Sequence, residues 1–197
     1  MKLVQRMSNL GTETAFEVLA KAQALEAQGR DVVHLHIGAP DFPTPAHIVE
    51  AGRKALADGW HKYTPAKGIP SLREAVCEDI ERHRGVGDVT PDQILIVPGG
   101  KPTMLYALQM FAEPGAEILY PNPEPHVSLL EYPSIRDRLI VLDGWSKTYA
   151  MTGWRLGYGV WPKSLVAHAE RLQINSTSCA NAATQVAAEA ALRGPQD

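Results

Sequence analysis

Apolar residues in the first part of the chain recur at the spacing of amphipathic helices. Residues 13–28 carry one apolar stripe, formed by Phe16, Leu19, Ala22 and Leu25. This spacing predicts a helix, and Gly29 is placed to end it in a left-handed cap. Residues 32–37 then predict a short strand with His34 and His36 on one face.

Two further helices are predicted from their capping residues. Thr44 is a favourable N-cap and Pro45 a favourable first helical residue, so a second helix is expected to begin there. Ser71 and Glu74 have the spacing of a capping box, in which each side chain binds a backbone amide at the start of a helix. That third helix is expected to end just before Gly85.

The remaining chain alternates short apolar runs with helical patterns. Residues 93–97 predict a strand, Gly99 and Gly100 a loop, and residues 101–111 a helix. Further strands are predicted at 117–120, 139–142 and 156–160, and further helices at 163–174 and 179–192. Strands that alternate with helices favour an α/β fold with a mainly parallel sheet flanked by helices.

Composition and charge narrow the class of protein without naming a partner. The chain has 197 residues, 45% hydrophobic and 21% charged, with a net charge of -3. These values are typical of a soluble globular protein and give no reason to expect nucleic acid or membrane as a partner. The cysteines Cys77 and Cys179 match no metal or redox spacing, and no apolar leader or spanning run is evident, so a cytoplasmic location is expected. The histidines lack metal-ligand spacing, so no metal site is expected.

Residues 143–159, DGWSKTYAMTGWRLGYG, hold the densest group of candidate functional side chains. If Lys147 lies between apolar strands, desolvation lowers its pKa and favours the neutral amine that reacts with an aldehyde cofactor. Arg155 could then bind a phosphate through two parallel hydrogen bonds. The alternative is a surface lysine near an arginine in an ordinary salt bridge.

A second candidate site lies between the strand at 93–97 and the helix that follows it. The backbone amides around Gly99, Gly100 and Lys101, with the helix N-terminus, could bind a phosphate. A Walker loop is not predicted, because Pro102 follows the lysine where that motif needs serine or threonine.

Residues 146–157 match, at every position, the signature S-K-x-[FY]-x-M-[TA]-G-W-R-[LIV]-G, and the chain therefore resembles the class I/II aminotransferases. These enzymes bind pyridoxal phosphate (PLP) on a fold type I α/β domain. The resemblance implies that Lys147 bonds covalently with the cofactor aldehyde, acts as the catalytic residue, and exchanges protons with the substrate. It also implies that Arg155 binds the cofactor phosphate.

The resemblance extends to three upstream elements. The stretch HIGAPDFPTP is similar to a family element near the substrate carboxylate, which implies substrate binding at Gly38. Tyr63 matches a tyrosine that in relatives reaches the cofactor phosphate of the neighbouring subunit, which implies a homodimer. Gly100 and Lys101 fall on the family's G-G-K/T element and are implied cofactor ligands.

The resemblance is interrupted at Pro123 and Glu124, where two blocks of a longer family pattern meet. The intervening family stretch is absent, and with it the asparagine, aspartate and tyrosine that bind the cofactor ring. The chain also stops before the small domain of the family. The resemblance thus implies a partial large domain, divided as an N-terminal segment 1–44, a first part 45–123 and a second part 124–197 that carries the lysine.

Three functions remain open from the sequence. The first is PLP-dependent transfer of an amino group from an L-amino acid to a 2-oxo acid, in amino-acid metabolism or biosynthesis. The second is a catalytically inactive aminotransferase-like subunit that acts by binding protein. The third is a PLP lyase or synthase of the same fold, because a fold does not determine a reaction. The sequence does not identify the amino acid substrate.

Overall fold

A computed structural model describes residues 7, 11, 14–113 and 128–196 of the chain. The chain divides into two compact units, Met1–Asp41 and Phe42–Asp197. The predicted strand at 117–120 and the junction at Pro123 and Glu124 lie outside the described residues. Across the described part, none of the helices combines the length and the apolar character that a membrane span requires.

The first unit contains helix α1, Thr14–Glu26, as predicted, and Gly29 follows it with a left-handed φ of 79°. The strand predicted at residues 32–37 is wrong: these residues are irregular. Val33 and Leu35 are 79% and 89% exposed, so their apolar side chains have no sheet or core to cover them here. A strand needs a pairing partner as well as β-branched residues.

The second unit contains five helices and three strands among the described residues. In chain order they are α2 Ala46–Ala57, α3 Pro70–Arg84, β1 Ile94–Val97, α4 Lys101–Phe111, β2 Val141–Gly144, β3 Gly157–Val160, α5 Val166–Ser176 and α6 Ala182–Arg193. The mixed α/β composition and the helices predicted in this unit are confirmed. The predicted strand at 139–142 begins later, at Val141, and is partly exposed.

The strands form one sheet in the order β1, β3, β2. Val97 and Gly144 both align with Gly157, and β3 runs antiparallel to each neighbour. The prediction of a mainly parallel sheet is therefore wrong for the described strands, although β1 and β2 point in the same direction. Alternating strands and helices predicted the direction of these two strands correctly, but nothing in the short apolar run of β3 indicated its direction.

Helices cover both faces of this sheet. Ile94 and Ile96 of β1 point into a core shared with α2, α3 and α6, whereas Leu95 and Val97 point into a second core shared with α4 and α5. This alternation is expected of a strand buried on both sides. The sheet is thus the middle of three layers, and its strand ends are the places where a ligand can approach.

Two predicted helix caps are wrong. Pro45 occupies the N-cap position of α2, and Ile69 that of α3, without a side-chain capping bond in either case. Thr44 instead donates a hydrogen bond to the carbonyl of Ala150, and Ser71 to a carboxylate oxygen of Glu189, each at 2.6 Å. Local spacing assigned these hydroxyl groups to the helix ends, but they bind residues more than a hundred positions away in the sequence.

Candidate active site

Three strand ends meet at one edge of the sheet. β1 and β2 end there and β3 begins there, because Val97, Gly144 and Gly157 lie side by side. The turn that carries Lys147 leaves from β2, the Gly99–Gly100 loop leaves from β1, and Arg155 lies two residues before β3. The carboxyl ends of strands in open α/β sheets are where such folds bind ligands.

Glycines allow the backbones at this edge to pack closely. A β-carbon at Gly157 would lie 2.7 Å from the backbone nitrogen of Gly100, and one at Gly144 would lie 3.0 Å from the Cα of Gly157. Both positions therefore exclude side chains. Gly99, with a φ of 77°, also requires a conformation that other residues rarely adopt.

Arg155 lies over the glycine loop. A β-carbon at Gly99 would be 2.4 Å from Nη2 of Arg155, so the bare glycine backbone makes room for the guanidinium. Nη1 donates a 2.8 Å hydrogen bond to the carbonyl of Thr152, and the side chain is exposed to solvent. The structure thus brings together two of the predicted phosphate-binding elements, the arginine and the glycine loop.

Lys147 lies in the turn that follows β2 and is exposed. The interpretation that places it between apolar strands is wrong, since the strands end before the lysine and the turn projects from the sheet. Hydrogen bonds within the turn hold its backbone: the amide of Ala150 donates to Lys147 at 3.4 Å, and that of Met151 donates to Ser146 at 3.1 Å. The lysine is therefore carried by an ordered backbone at the same sheet edge as Arg155.

The start of this turn is tied to β3 and α3. Asp143 accepts hydrogen bonds from Arg84, from the hydroxyl of Tyr158 at 3.4 Å, and from the amide of Gly144 at 2.7 Å. Burial and the neighbouring Asp143 carboxylate raise the pKa of Tyr158, which keeps its hydroxyl protonated as a donor. Trp145 packs edge-on against Tyr158, with ring centroids 5.4 Å apart.

Helix α4 begins at the glycine loop, with Gly100 as N-cap, and Lys101 is its first, exposed residue. Pro102 has no amide hydrogen, and the amide of Thr103 donates to Gly100 at 3.1 Å. The positive end of the helix dipole nevertheless faces the edge where Arg155 lies. An anion is therefore favoured at this helix terminus.

Two further residues were predicted from the sequence, Tyr63 and Gly38. Tyr63 is 87% exposed and lines a concave surface with Leu56, Trp60 and Asn181. Gly38 is in the first unit, where an added β-carbon would meet nothing within 4 Å. The roles of both residues stay predictions.

Sequence reasoning missed Gly144, Gly157 and the ties of Asp143 to Arg84 and Tyr158. A run of glycines around a lysine could have indicated close packing, but the partner strand was not readable from local spacing. The Cys77 thiol does not compete with Lys147 as a nucleophile, because burial raises its pKa to about 11 and keeps it protonated near neutral pH.

Known proteins share both the sequence pattern and the fold. The family model for aminotransferase class I and II matches residues 30–126 and 124–197. An aspartate/prephenate aminotransferase of Nitrosomonas europaea is 28% identical over 288 residues, covering 100% of this chain and 72% of the relative. A probable aspartate/prephenate aminotransferase of Thermus aquaticus is 42% identical over 121 residues, covering 61% of this chain and 31% of the relative.

The structural similarity has the same extent. The structure of aspartate aminotransferase from Thermus thermophilus with maleate has a TM-score of 0.85 and 26% identity, and the match covers 98% of this chain and 73% of that one. The alignment with the Nitrosomonas enzyme runs over 288 positions although this chain has 197 residues, so the relative contains stretches without a counterpart here. On the match of nearly the whole sequence, the chain belongs to the class I and II aminotransferases, a family of PLP-dependent enzymes.

Proposed function

We propose that the chain binds PLP at the strand-end edge and transfers an amino group from an L-amino acid to a 2-oxo acid. The observation that carries the proposal is the convergence of the Lys147 turn, Arg155 and the Gly99–Gly100 loop at one edge of the sheet. A lysine amine, a guanidinium and a helix N-terminus are the groups that an aldehyde bearing a phosphate requires.

The phosphate end of the cofactor fits the residues present. The glycine at position 99 leaves room for the guanidinium of Arg155, and the backbone of Gly100 packs against Gly157, so the arginine and the glycine loop lie next to each other. In this proposal Arg155 binds the phosphate through its guanidinium, while the backbone at Gly100 and Lys101 and the dipole of α4 add to the same field. These groups would fix the phosphate and leave Lys147 to react at the other end.

Lys147 has two tasks in the proposed reaction. Its amine would hold the cofactor covalently through the aldehyde until a substrate amine displaced it. The displaced Nζ would then accept the proton of the substrate α-carbon and donate it back at a different atom. When bound, PLP supplies an electron sink that stabilises negative charge on that carbon. The exposed turn gives Nζ access to an incoming substrate.

We further propose a cytoplasmic homodimer in which Tyr63 reaches the cofactor phosphate of the neighbouring subunit. Its 87% exposure, on a surface that also presents Trp60 at 40% and Leu56 at 55%, supports a contact between chains. Aromatic side chains are enriched in such contacts. The names of the relatives make L-aspartate the first amino-group donor to assay.

One observation supports a second candidate, an inactive subunit that acts by binding protein. Relatives contain stretches that this chain lacks, and the two segments that match the family overlap at residues 124–126. If those stretches supply the groups that bind the cofactor ring, the phosphate-binding groups alone would not support catalysis. A retained fold without turnover would favour this candidate.

The proposed function can be tested by PLP titration. Purified protein is titrated with PLP, reduced with borohydride and mapped by mass spectrometry, alongside Lys147→Ala and, as a control, the exposed Lys163→Ala. We expect a pyridoxyl label on Lys147 in the parent and in the control, and none on that peptide in Lys147→Ala. Amino transfer from L-aspartate to 2-oxoglutarate is then assayed. A label without transfer favours the inactive subunit, and no label in the parent rejects the proposed enzyme.

A further inference from the structure

One hydroxyl group connects the Lys147 turn to the residue before Arg155. Oγ1 of Thr44 donates a 2.6 Å hydrogen bond to the carbonyl of Ala150, and it accepts a 3.2 Å hydrogen bond from Nε1 of Trp154. Thr44 itself is half-buried just ahead of α2. A single side chain thus contacts both ends of the segment between the proposed catalytic lysine and the proposed phosphate ligand.

That segment has an unfavourable backbone conformation at both ends. Ala150 has a φ of 51° and Arg155 a φ of 55°, in the left-handed region that residues other than glycine rarely adopt. Ala150 has no side-chain group that could make the local hydrogen bond by which asparagine tolerates this conformation. Tertiary contacts must therefore maintain it.

Packing fixes the partner of this hydroxyl. A β-carbon at Gly52 of α2 would lie 2.7 Å from the ring of Trp154, so the indole lies directly against that helix. The ring is thereby held with Nε1 toward Thr44. Because Thr44 bonds to both the indole and the carbonyl of Ala150, its hydroxyl links the turn to a ring that packing holds in place.

We propose that Thr44 is a positioning residue that holds the Lys147 turn and the Arg155 backbone in the geometry needed to bind PLP. The inference rests on the proposed function, since it assumes that this turn carries the reactive lysine. Thr44 does not cap α2, because no side-chain hydrogen bond is made at that N-terminus. Its hydroxyl binds the active-site turn and not the N-terminus of the helix that follows it.

The test compares Thr44→Val, which keeps the shape and removes the hydroxyl, with Thr44→Ser, which keeps the hydroxyl. Thr177→Val, at an exposed threonine after α5, is the control for the substitution itself. We expect Thr44→Val to weaken PLP binding about tenfold and to shift the pH at which the absorbance of bound PLP changes. Thr44→Ser and Thr177→Val should stay close to the parent. Ala150→Gly, which relieves the left-handed residue, should recover part of the loss in Thr44→Val.

A second measurement needs no cofactor. The amides of Ala150, Met151 and Trp154 are hydrogen-bonded to carbonyls within the segment, so hydrogen exchange reports its order directly. Faster exchange of these amides in Thr44→Val, with protection regained in Thr44→Ser, supports the proposal even if the parent fails to bind PLP and the proposed enzyme is rejected. A lower melting temperature in Thr44→Val with unchanged PLP affinity, absorbance titration and local exchange would overturn it.

Discussion

At the scale of single residues, the active-site edge depends on glycines, which lack the β-carbon that would keep neighbouring backbones apart. Gly157 and Gly144 of neighbouring strands leave each other room, and Gly157 also lies against the backbone of Gly100. A protein interior is packed too densely for a methyl group to be inserted between backbones without displacing them. Here such a displacement would separate the glycine loop from β3 and move Arg155.

Gly157→Ala should therefore damage the fold as well as the site. The added β-carbon would lie 2.7 Å from the nitrogen of Gly100. Because such overpacking strains the fold, we expect the free energy of unfolding to fall by about 1–3 kcal/mol. Gly153→Ala is the matched control, because a β-carbon there meets nothing within 4 Å. The measurement is the free energy of unfolding of the two variants in urea. Equal stability would mean that the crowding at Gly157 is relieved without cost.

At the scale of elements, the sequence predicted the helices and their C-terminal glycines, but not their N-terminal caps. The apolar stripes predicted α1, and Gly85 ends α3 with a left-handed φ of 65° as its position indicated. Thr44 and Ser71 had the correct local spacing for capping, but their hydroxyls bind Ala150 and Glu189 across the fold. Local spacing contains no information about partners so distant in sequence.

The site shows the same division. The strands predicted at 139–142 and 156–160 placed Lys147 and Arg155 in the connection between them, and the glycine loop was predicted at the end of the strand at 93–97. The exposure of Lys147 and the antiparallel direction of β3 were missed, because both depend on how the strands pair. Pairing is decided by which surfaces are buried together, and a four-residue strand such as β3 contains too little pattern to reveal it.

A buried glutamine anchors the loop that follows Tyr63. Gln185 of α6 accepts from the amide of Ile69 at 2.8 Å and donates to Oγ1 of Thr64 at 2.9 Å and to the carbonyl of Ala180 at 3.0 Å. Its side chain is fully buried. The loop is thereby fixed to a helix more than a hundred residues further along the chain.

Gln185→Met should lower the free energy of unfolding by about 2–4 kcal/mol, since it leaves buried polar groups of the loop without partners. Gln109→Met, at an exposed glutamine of α4, should have little effect and serves as the control. Limited proteolysis should also cut near Tyr63 sooner in Gln185→Met than in the control. Indistinguishable unfolding curves for the two variants would show that the anchor contributes nothing.

At the scale of the whole molecule, the proposed homodimer predicts that defects on different chains complement each other. Lys147→Ala removes the lysine of a site, whereas Tyr63→Ala removes the tyrosine that the chain lends to its neighbour. A hybrid of the two variants would contain one site with both residues. Co-expressed, differently tagged chains should therefore recover PLP affinity that neither parent has. A hybrid that binds PLP no better than the Tyr63→Ala parent would place Tyr63 outside the neighbouring site.

The core that α2 and α3 share with α6 also has a consequence for the synthesis of the chain. Helices α2 and α3 bury Ile48, Leu72 and Val76 against Ala187 and Ala188 of α6, which is translated much later. Until α6 has left the ribosome, the apolar faces of α2 and α3 stay exposed for a time on the order of ten seconds. Holding chaperones would find their binding sites on α2 and α3 in that interval. Slower translation between these helices would lengthen that exposure, and stronger contacts in the finished fold would not shorten it.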